Sequence, residues 1–149
     1  MRDLWIFLHL IGVVVWIGGM SFAHFCLRPA AMQWPPPQRL PLMAAALGRF
    51  FVHVSVALVL LWTSGVAIML QTGFAQAPGS WHAMMGIALV MTIVFAVIRL
   101  RHDPRLRGAI ASADWPSAGV ALNAIRRLVT FNLGLGLLTI AIATLGRMA

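Results

Sequence analysis

The sequence predicts an all-α polytopic membrane protein, a four-transmembrane-helix bundle, and three observations lead there. Of 149 residues, 61% are hydrophobic. Only 11 basic and 3 acidic residues carry a full charge, whereas a soluble domain needs roughly a quarter of its residues charged to wet its surface. Finally, four segments can cross a hydrocarbon core, which at about 30 Å thick and 1.5 Å rise per residue needs about 20 apolar residues. These helices run from about Leu4 to Leu27, Phe50 to Gln71, Trp81 to Leu100 and Leu128 to Leu145. They form one membrane domain over residues 1–149, with amphipathic or loop segments at 28–49 and 101–127.

The first apolar run is longer than the core of a signal peptide and no A-x-A-like site follows it, so it reads as a retained helix. Pro35-Pro36-Pro37 cannot continue a helix. Pro41 suits the first residue of a new one, projecting as Leu42–Arg49 before entering the membrane. Thr72–Ser80 contains Gly73, Pro78 and Gly79 and no charge, which makes a tight turn. In the third connection Ser112 or Asp114 would cap a short amphipathic helix ending near Arg126 and Arg127. Trp5, Trp34 and Trp81 read as interface anchors. Asn132 and Thr139 lie on one face of the last helix, where bonding between helices is the plain reading.

All the cations are arginine. They flank the apolar runs and form no basic face with interleaved aromatics, so nucleic acid is not the expected partner; anionic lipid is. Nine arginines (28, 39, 49, 99, 101, 105, 107, 126, 127) lie in the first and third connections, and only Arg2 and Arg147 on the opposite side. The positive-inside rule then places both termini and the 72–80 turn outside, in the periplasm if the membrane is a bacterial inner membrane. The single cysteine, Cys26, excludes an internal disulfide.

Five histidines are the main candidates for chemistry, since ionisable groups within spans are costly and tend to be functional or well partnered. A lone histidine at the headgroup level also satisfies itself with water. Depth groups them: His9 and His82 lie toward the outer surface, His24 and His53 toward the arginine-rich side, and His102 beyond Arg99 and Arg101. At 100° per residue His9, Trp16 and Met20 fall within about 40° of one another, and His24 about 60° from His9. Gly12 and Gly19 lie close to this stripe. His82, Met85, Leu89 and Thr92 form a similar stripe on the third helix.

Two cofactors suit such an arrangement. Paired imidazoles on different helices hold a b-type haem; imidazole with thioethers suits copper, above all Cu(I). The metal candidates are His9, His82, Met20 and Met85, with His24 and His53 as a possible second haem or metal site; Met84 and Met91 supply further thioethers. Asp3, Asp103 and Asp114, the only carboxylates, lie outside the predicted spans, and no nucleophilic triad, Walker loop or zinc spacing is present. An enzyme is therefore not the main expectation; if the chain is one, it is a haem-dependent membrane oxidoreductase.

The stretch His9-Leu-Ile-Gly-Val-Val-Val-Trp16-Ile-Gly-Gly-Met20, with Leu27-Arg28-Pro29-Ala30, resembles the opening helix of the copper resistance protein D (CopD) family. Leu47-Gly-Arg-Phe-Phe with Trp62-Thr-Ser-Gly65 resembles its next helix. Ser112-Ala-Asp-Trp115, Ile125-Arg-Arg-Leu-Val and Asn132-Leu-Gly-Leu-Gly-Leu-Leu-Thr139 resemble the end of its small members. The resemblance implies copper homeostasis or transport in the inner membrane, with a redox or transport partner. The build is also similar to the HemJ type of protoporphyrinogen oxidase, a four-helix protein linked to b-haem that pairs a first-helix histidine with a third-helix lysine. His9 matches the former, but the third helix here has no lysine. A b-haem redox protein and a ligand-free accessory subunit are thus the two alternatives to a copper protein.

Overall fold

The computed structural model describes residues 1–145; residues 146–149, and with them Arg147 and Ala149, lie outside the described residues. Four helices are long and apolar enough to cross a membrane: α1 (Arg2–Ala31), α2 (Pro36–Thr72), α3 (Gly79–Ala111) and α4 (Trp115–Leu145). No strand occurs among the described residues.

Each helix outruns the apolar segment that predicts it. α2 has 37 residues, about 55 Å of helix, so its first turns extend past the hydrocarbon. Segments 28–49 and 101–127 accordingly form no separate elements: each is divided between the helices on either side of a short turn. The proline run supplies the reason at 36. Pro35 is the extended N-cap residue and Pro36 and Pro37 occupy the first turn, where an amide hydrogen would lack an intrahelical acceptor anyway. Pro41, expected as the first residue of this helix, instead lies inside it, because Pro36 and Pro37 already start it.

The turns are equally legible. Gly73 closes α2 at φ 86°, a conformation that favours glycine, and its N–H returns to Met69 O. At the turn between α3 and α4 Ala113 takes φ 55° while Asp114 N–H reaches back to Ala109 O, a Schellman closure with alanine in glycine's place. Asp114, not Ser112, then caps α4: its Oδ1 accepts from Ser117 N–H at 3.1 Å. Hydrogen bonding by the Ser117 side chain, and then by its backbone N–H, holds the Asp114 carboxyl below its ordinary pKa. Ser112 Oγ bonds back into the last turn of α3.

Many large apolar side chains face outward, among them Phe7, Val14, Phe22, Val59, Leu70, Ile93, Leu100 and Leu137. In water this would be an aggregation hazard; against acyl chains it is the matching surface. Polar side chains near that surface bond to their own helix, as Thr63 does to Val59 O and Thr144 to Ile140 O, because lipid offers no partner.

The bundle is two hairpins. The first part of α1 (Arg2–Val13) packs on α2, and the first part of α3 (Gly79–Val97) packs on α4. Contacts between hairpins involve the middle of α1 against α4 and the end of α3 (Asp103–Ala111) against α2. Small residues set the close approaches: a Cβ on Gly12 would lie 2.7 Å from Leu61 Cγ and 3.1 Å from Ala57 O. The core that joins the hairpins holds Trp16, Met20, Phe51, Val54, Phe95, Ile98, Ile125 and Leu133. Among the described residues three polar side chains are buried: Ser64, Asp103 and Asn132. Asp103, 1% exposed, is held by Arg99 and Arg107; Asn132 donates to Met91 O at 3.0 Å, bridging α4 to α3.

Candidate metal site

The half of the bundle that holds the chain's beginning contains a cavity of about 240 Å³, lined from all four helices. α1 contributes His9 and Trp16, α2 Trp62, Gly65 and Met69, α3 Trp81, Met84, Met85 and Met91, and α4 Gly136 and Thr139. One imidazole and four thioethers thus line one space. Met69 and Met91 are each 3% exposed.

His9 is positioned by a relay. Its Nδ1 lies 3.0 Å from Ser64 Oγ. The Ser64 hydroxyl is fully buried and donates its one hydrogen to Leu60 O, one turn earlier on α2. The oxygen is therefore left to accept, so Nδ1 carries the imidazole hydrogen and Nε2 keeps its lone pair. A Cβ at Gly65 would come no closer than 3.5 Å to His9 Cε1, so the ring lies at ordinary contact distance from α2 there. On the facing side Trp62 Nε1–H donates to Thr92 Oγ1 at 3.1 Å, and Thr92 donates to Ala88 O. Both indole and hydroxyl are thereby satisfied within the hairpin interface.

Sequence candidates are sorted by this geometry. His9, Met84, Met85 and Met91 share the cavity. Met20 does not line it: two turns of α1 adopt π geometry, at Val14–Gly18 and Ala23–Leu27, so a uniform 100° count loses register. Met20 lies in the joining core, 2% exposed. His82 is not on the cavity either; it is exposed, with Nδ1 3.3 Å from Pro78 O of its own first turn. The structure therefore does not bring His9 and His82 together. Nor does it pair His24 with His53. His24 Nδ1 faces Thr130 Oγ1 of α4 at 3.2 Å, whereas exposed His53 bonds back to Arg49 O at 2.8 Å. His102 is half-buried at the end of the π turn of α3. Trp81, expected as an interface anchor, lines the cavity.

Sequence reasoning missed two contributors. Met69 is one of the four thioethers and Ser64 sets the imidazole tautomer. Ser64 had one visible signal, a small hydroxyl deep in the apolar second span.

Among the described residues, no three His, Cys, Asp or Glu side chains converge as a metal site. A thioether site draws on another donor set. The cavity offers one imidazole, not the axial pair a bis-histidine haem needs, and its volume falls below the roughly 300–1,000 Å³ of organic-ligand pockets. The donor set fits a soft cation and does not fit b-haem.

Fold and site define a four-helix integral membrane protein with a histidine- and methionine-lined cavity within the bundle. The chain belongs to the copper resistance protein D (CopD) family, whose match covers residues 44–145. That segment runs from the first part of α2 to the end of α4; α1, with His9, lies before it. No curated protein and no solved structure matches the chain, and the resemblance to HemJ-type oxidases gains no support from these comparisons.

Proposed function

We propose that the chain handles copper in the inner membrane, holding Cu(I) in the upper cavity through His9 Nε2 and the thioethers of Met69, Met84, Met85 and Met91. The observation that carries this is the His9–Ser64–Leu60 relay, which leaves an unprotonated imidazole nitrogen on a residue whose cavity four methionines also line. Family membership supplies the element; the donor set selects its oxidation state. Thioethers prefer the soft monovalent ion. The lining contains no carboxylate, so a divalent ion would keep its whole charge in a low-dielectric space, at far greater desolvation cost than a monovalent one. His82 and Met20 lie off the cavity; on this reading Met20, in the core below it, offers a thioether along the axis of the bundle. The arginine bias supports an orientation with the cavity toward the outside, at the side from which copper would enter the membrane.

The test is anaerobic competition of Cu(I) between the full-length protein and a chromogenic Cu(I) chelator. One high-affinity equivalent is expected in the wild type, lost in His9→Ala and weakened in Met69→Leu and Met85→Leu, while His82→Ala and His53→Ala retain it. Retention by His9→Ala, or loss in His82→Ala, overturns the assignment.

A further inference from the structure

A second cavity, of about 210 Å³, lies at the arginine-rich end between the close of α1, the start of α2 and the first half of α4. Its lining includes Arg28, Arg39, Arg126, His24 and Asn123 over an apolar floor with Leu47 and Val129. These arginines differ from the rest. Of the ten in the described residues, only Arg28, Arg39 and Arg126 are half-buried; the other seven are exposed.

Among the described residues their charge has no carboxylate partner. The ion pairs among the described residues are Arg99–Asp103 and Arg107–Asp103. Asp114 caps α4 and Asp3 is at the far end of α1. Arg39 donates only to the Met32 thioether, at 3.5 Å, a weak acceptor. Three half-buried arginines around one cavity gather positive charge there that an anion would offset. His24 does not supply one: its Nδ1 is engaged by Thr130, whose hydroxyl hydrogen goes to Arg126 O.

We infer that this cavity is a binding site for the phosphate headgroup of an anionic phospholipid, independently of the copper reading. The guanidiniums match phosphate oxygens by geometry and charge. The source is set by place. The cavity straddles the ends of three spans, where the hydrocarbon gives way to headgroups, and its apolar floor suits the glycerol and the first acyl carbons. The volume admits a headgroup and not a whole lipid, leaving the chains against the outer face of the bundle.

The experiment is native mass spectrometry of the full-length protein released from mild detergent, titrated with phosphatidylglycerol or phosphatidylcholine. The wild type is expected to retain one phosphatidylglycerol and to discriminate against phosphatidylcholine. At about fivefold per basic side chain near an anionic surface, the triple variant R28Q/R39Q/R126Q should weaken binding about a hundredfold. The control R101Q/R105Q/R127Q, which removes three exposed arginines of the same face, should retain the bound lipid. Circular dichroism checks folding; should the triple variant fail it, the single variants decide, with Arg126→Gln weakening and Arg126→Lys largely retaining the lipid. Equal loss in both triple variants, equal retention of the two lipids, or no effect of the single variants overturns the inference. So does displacement of phosphatidylglycerol by excess inorganic phosphate, which would mark a site for a free anion.

Discussion

Replacing Ser64 by alanine removes one oxygen atom and tests the metal site without touching a proposed ligand. In the wild type, Ser64 Oγ takes the Nδ1 hydrogen of His9 at 3.0 Å and passes its own hydrogen to Leu60 O. Ser64 is 0% exposed, so water cannot stand in readily for the lost acceptor. An unsatisfied donor at such a position costs about 1–3 kcal/mol. The ring recovers part of that by rotating or by moving its hydrogen to Nε2, and either change spoils Nε2 as a ligand. Loss of an outer-shell partner typically costs 10–100-fold in metal affinity, or about 1.4–2.7 kcal/mol, in the range of the hydrogen-bond figure. Cu(I) competition on wild type, Ser64→Ala, Ser64→Thr and Gly65→Ala reads this directly. Ser64→Ala should weaken binding by that factor and Ser64→Thr should restore much of it. Gly65→Ala should leave affinity unchanged, because its Cβ would meet the imidazole at 3.5 and 3.8 Å, ordinary contact distances. Wild-type affinity in Ser64→Ala alongside lost binding in His9→Ala would refute the relay and leave His9 as a ligand held by other means.

Four further outcomes follow from the packing and the topology. Gly12→Ala drives a methyl to 2.7 Å from Leu61 Cγ and should cost about 1–3 kcal/mol by overpacking, read as a lower melting temperature in detergent. Ala113→Gly relieves a positive φ and should raise stability by about 0.5–1 kcal/mol. Asp103→Asn removes the shared partner of Arg99 and Arg107, whose side chains are 44% and 54% exposed; with the arginines able to reach water, a loss of about 1–3 kcal/mol is expected. Reporter fusions at Ala149 and in the Gln76–Ser80 turn should both report the outside, and a cytoplasmic signal at both would invert the proposed orientation.

The pH dependence of the second hairpin has a sign that can be fixed. Asp114 has a folded pKa below its unfolded one because Ser117 bonds its charged form. Its capping contribution is therefore fully present above the ordinary carboxylate value and is lost as pH falls through the lowered one. Asp114→Asn should remove that acid-side slope from the melting temperature.

Four spans were legible because lipid demands long uninterrupted apolar runs, a signal that survives without any knowledge of packing. The helix ends were not: α2 begins at Pro36 and α3 continues to Ala111 through Arg99 and Arg101, since helix persists in the headgroup region where hydropathy is silent. Of the site, the position of His9 on the bundle-facing stripe was readable from its spacing to Trp16. Which residues share its cavity was not, because that depends on how two hairpins meet and on π turns that shift α1 after Val13. His82 lay at the right depth, but its first turn takes its Nδ1 back to Pro78 O. Met69 lay on a helix with no other ligand candidate at that depth, so nothing in one sequence singled it out. The role of Asp103 was hidden for a related reason: a carboxylate beyond the apolar run looks solvated until Arg99 and Arg107 at i−4 and i+4 close over it.

The two cavities stand in an arrangement that bears on transport. His9 and His24 are about 22 Å apart along α1, and neither of their cavities is lined by Met20, Phe51, Val54, Phe95 or Leu133 of the core that joins the hairpins. Such a core is packed to crystal-like density, so no ion crosses it without a change in how the hairpins meet. That core joins the two hairpins, so if the chain transports copper, opening it would mean moving one hairpin against the other, as in alternating access. Charge matters as much as sterics. A cation leaving toward the arginine-rich end would face Arg28, Arg39 and Arg126, none paired with a carboxylate among the described residues. An anionic headgroup seated there would cancel that repulsion. Were both proposals to hold, the arginine-lined cavity would serve the same copper route as the methionine-lined one: thioethers would accept the ion on one side, and a lipid phosphate would lower the electrostatic barrier on the other.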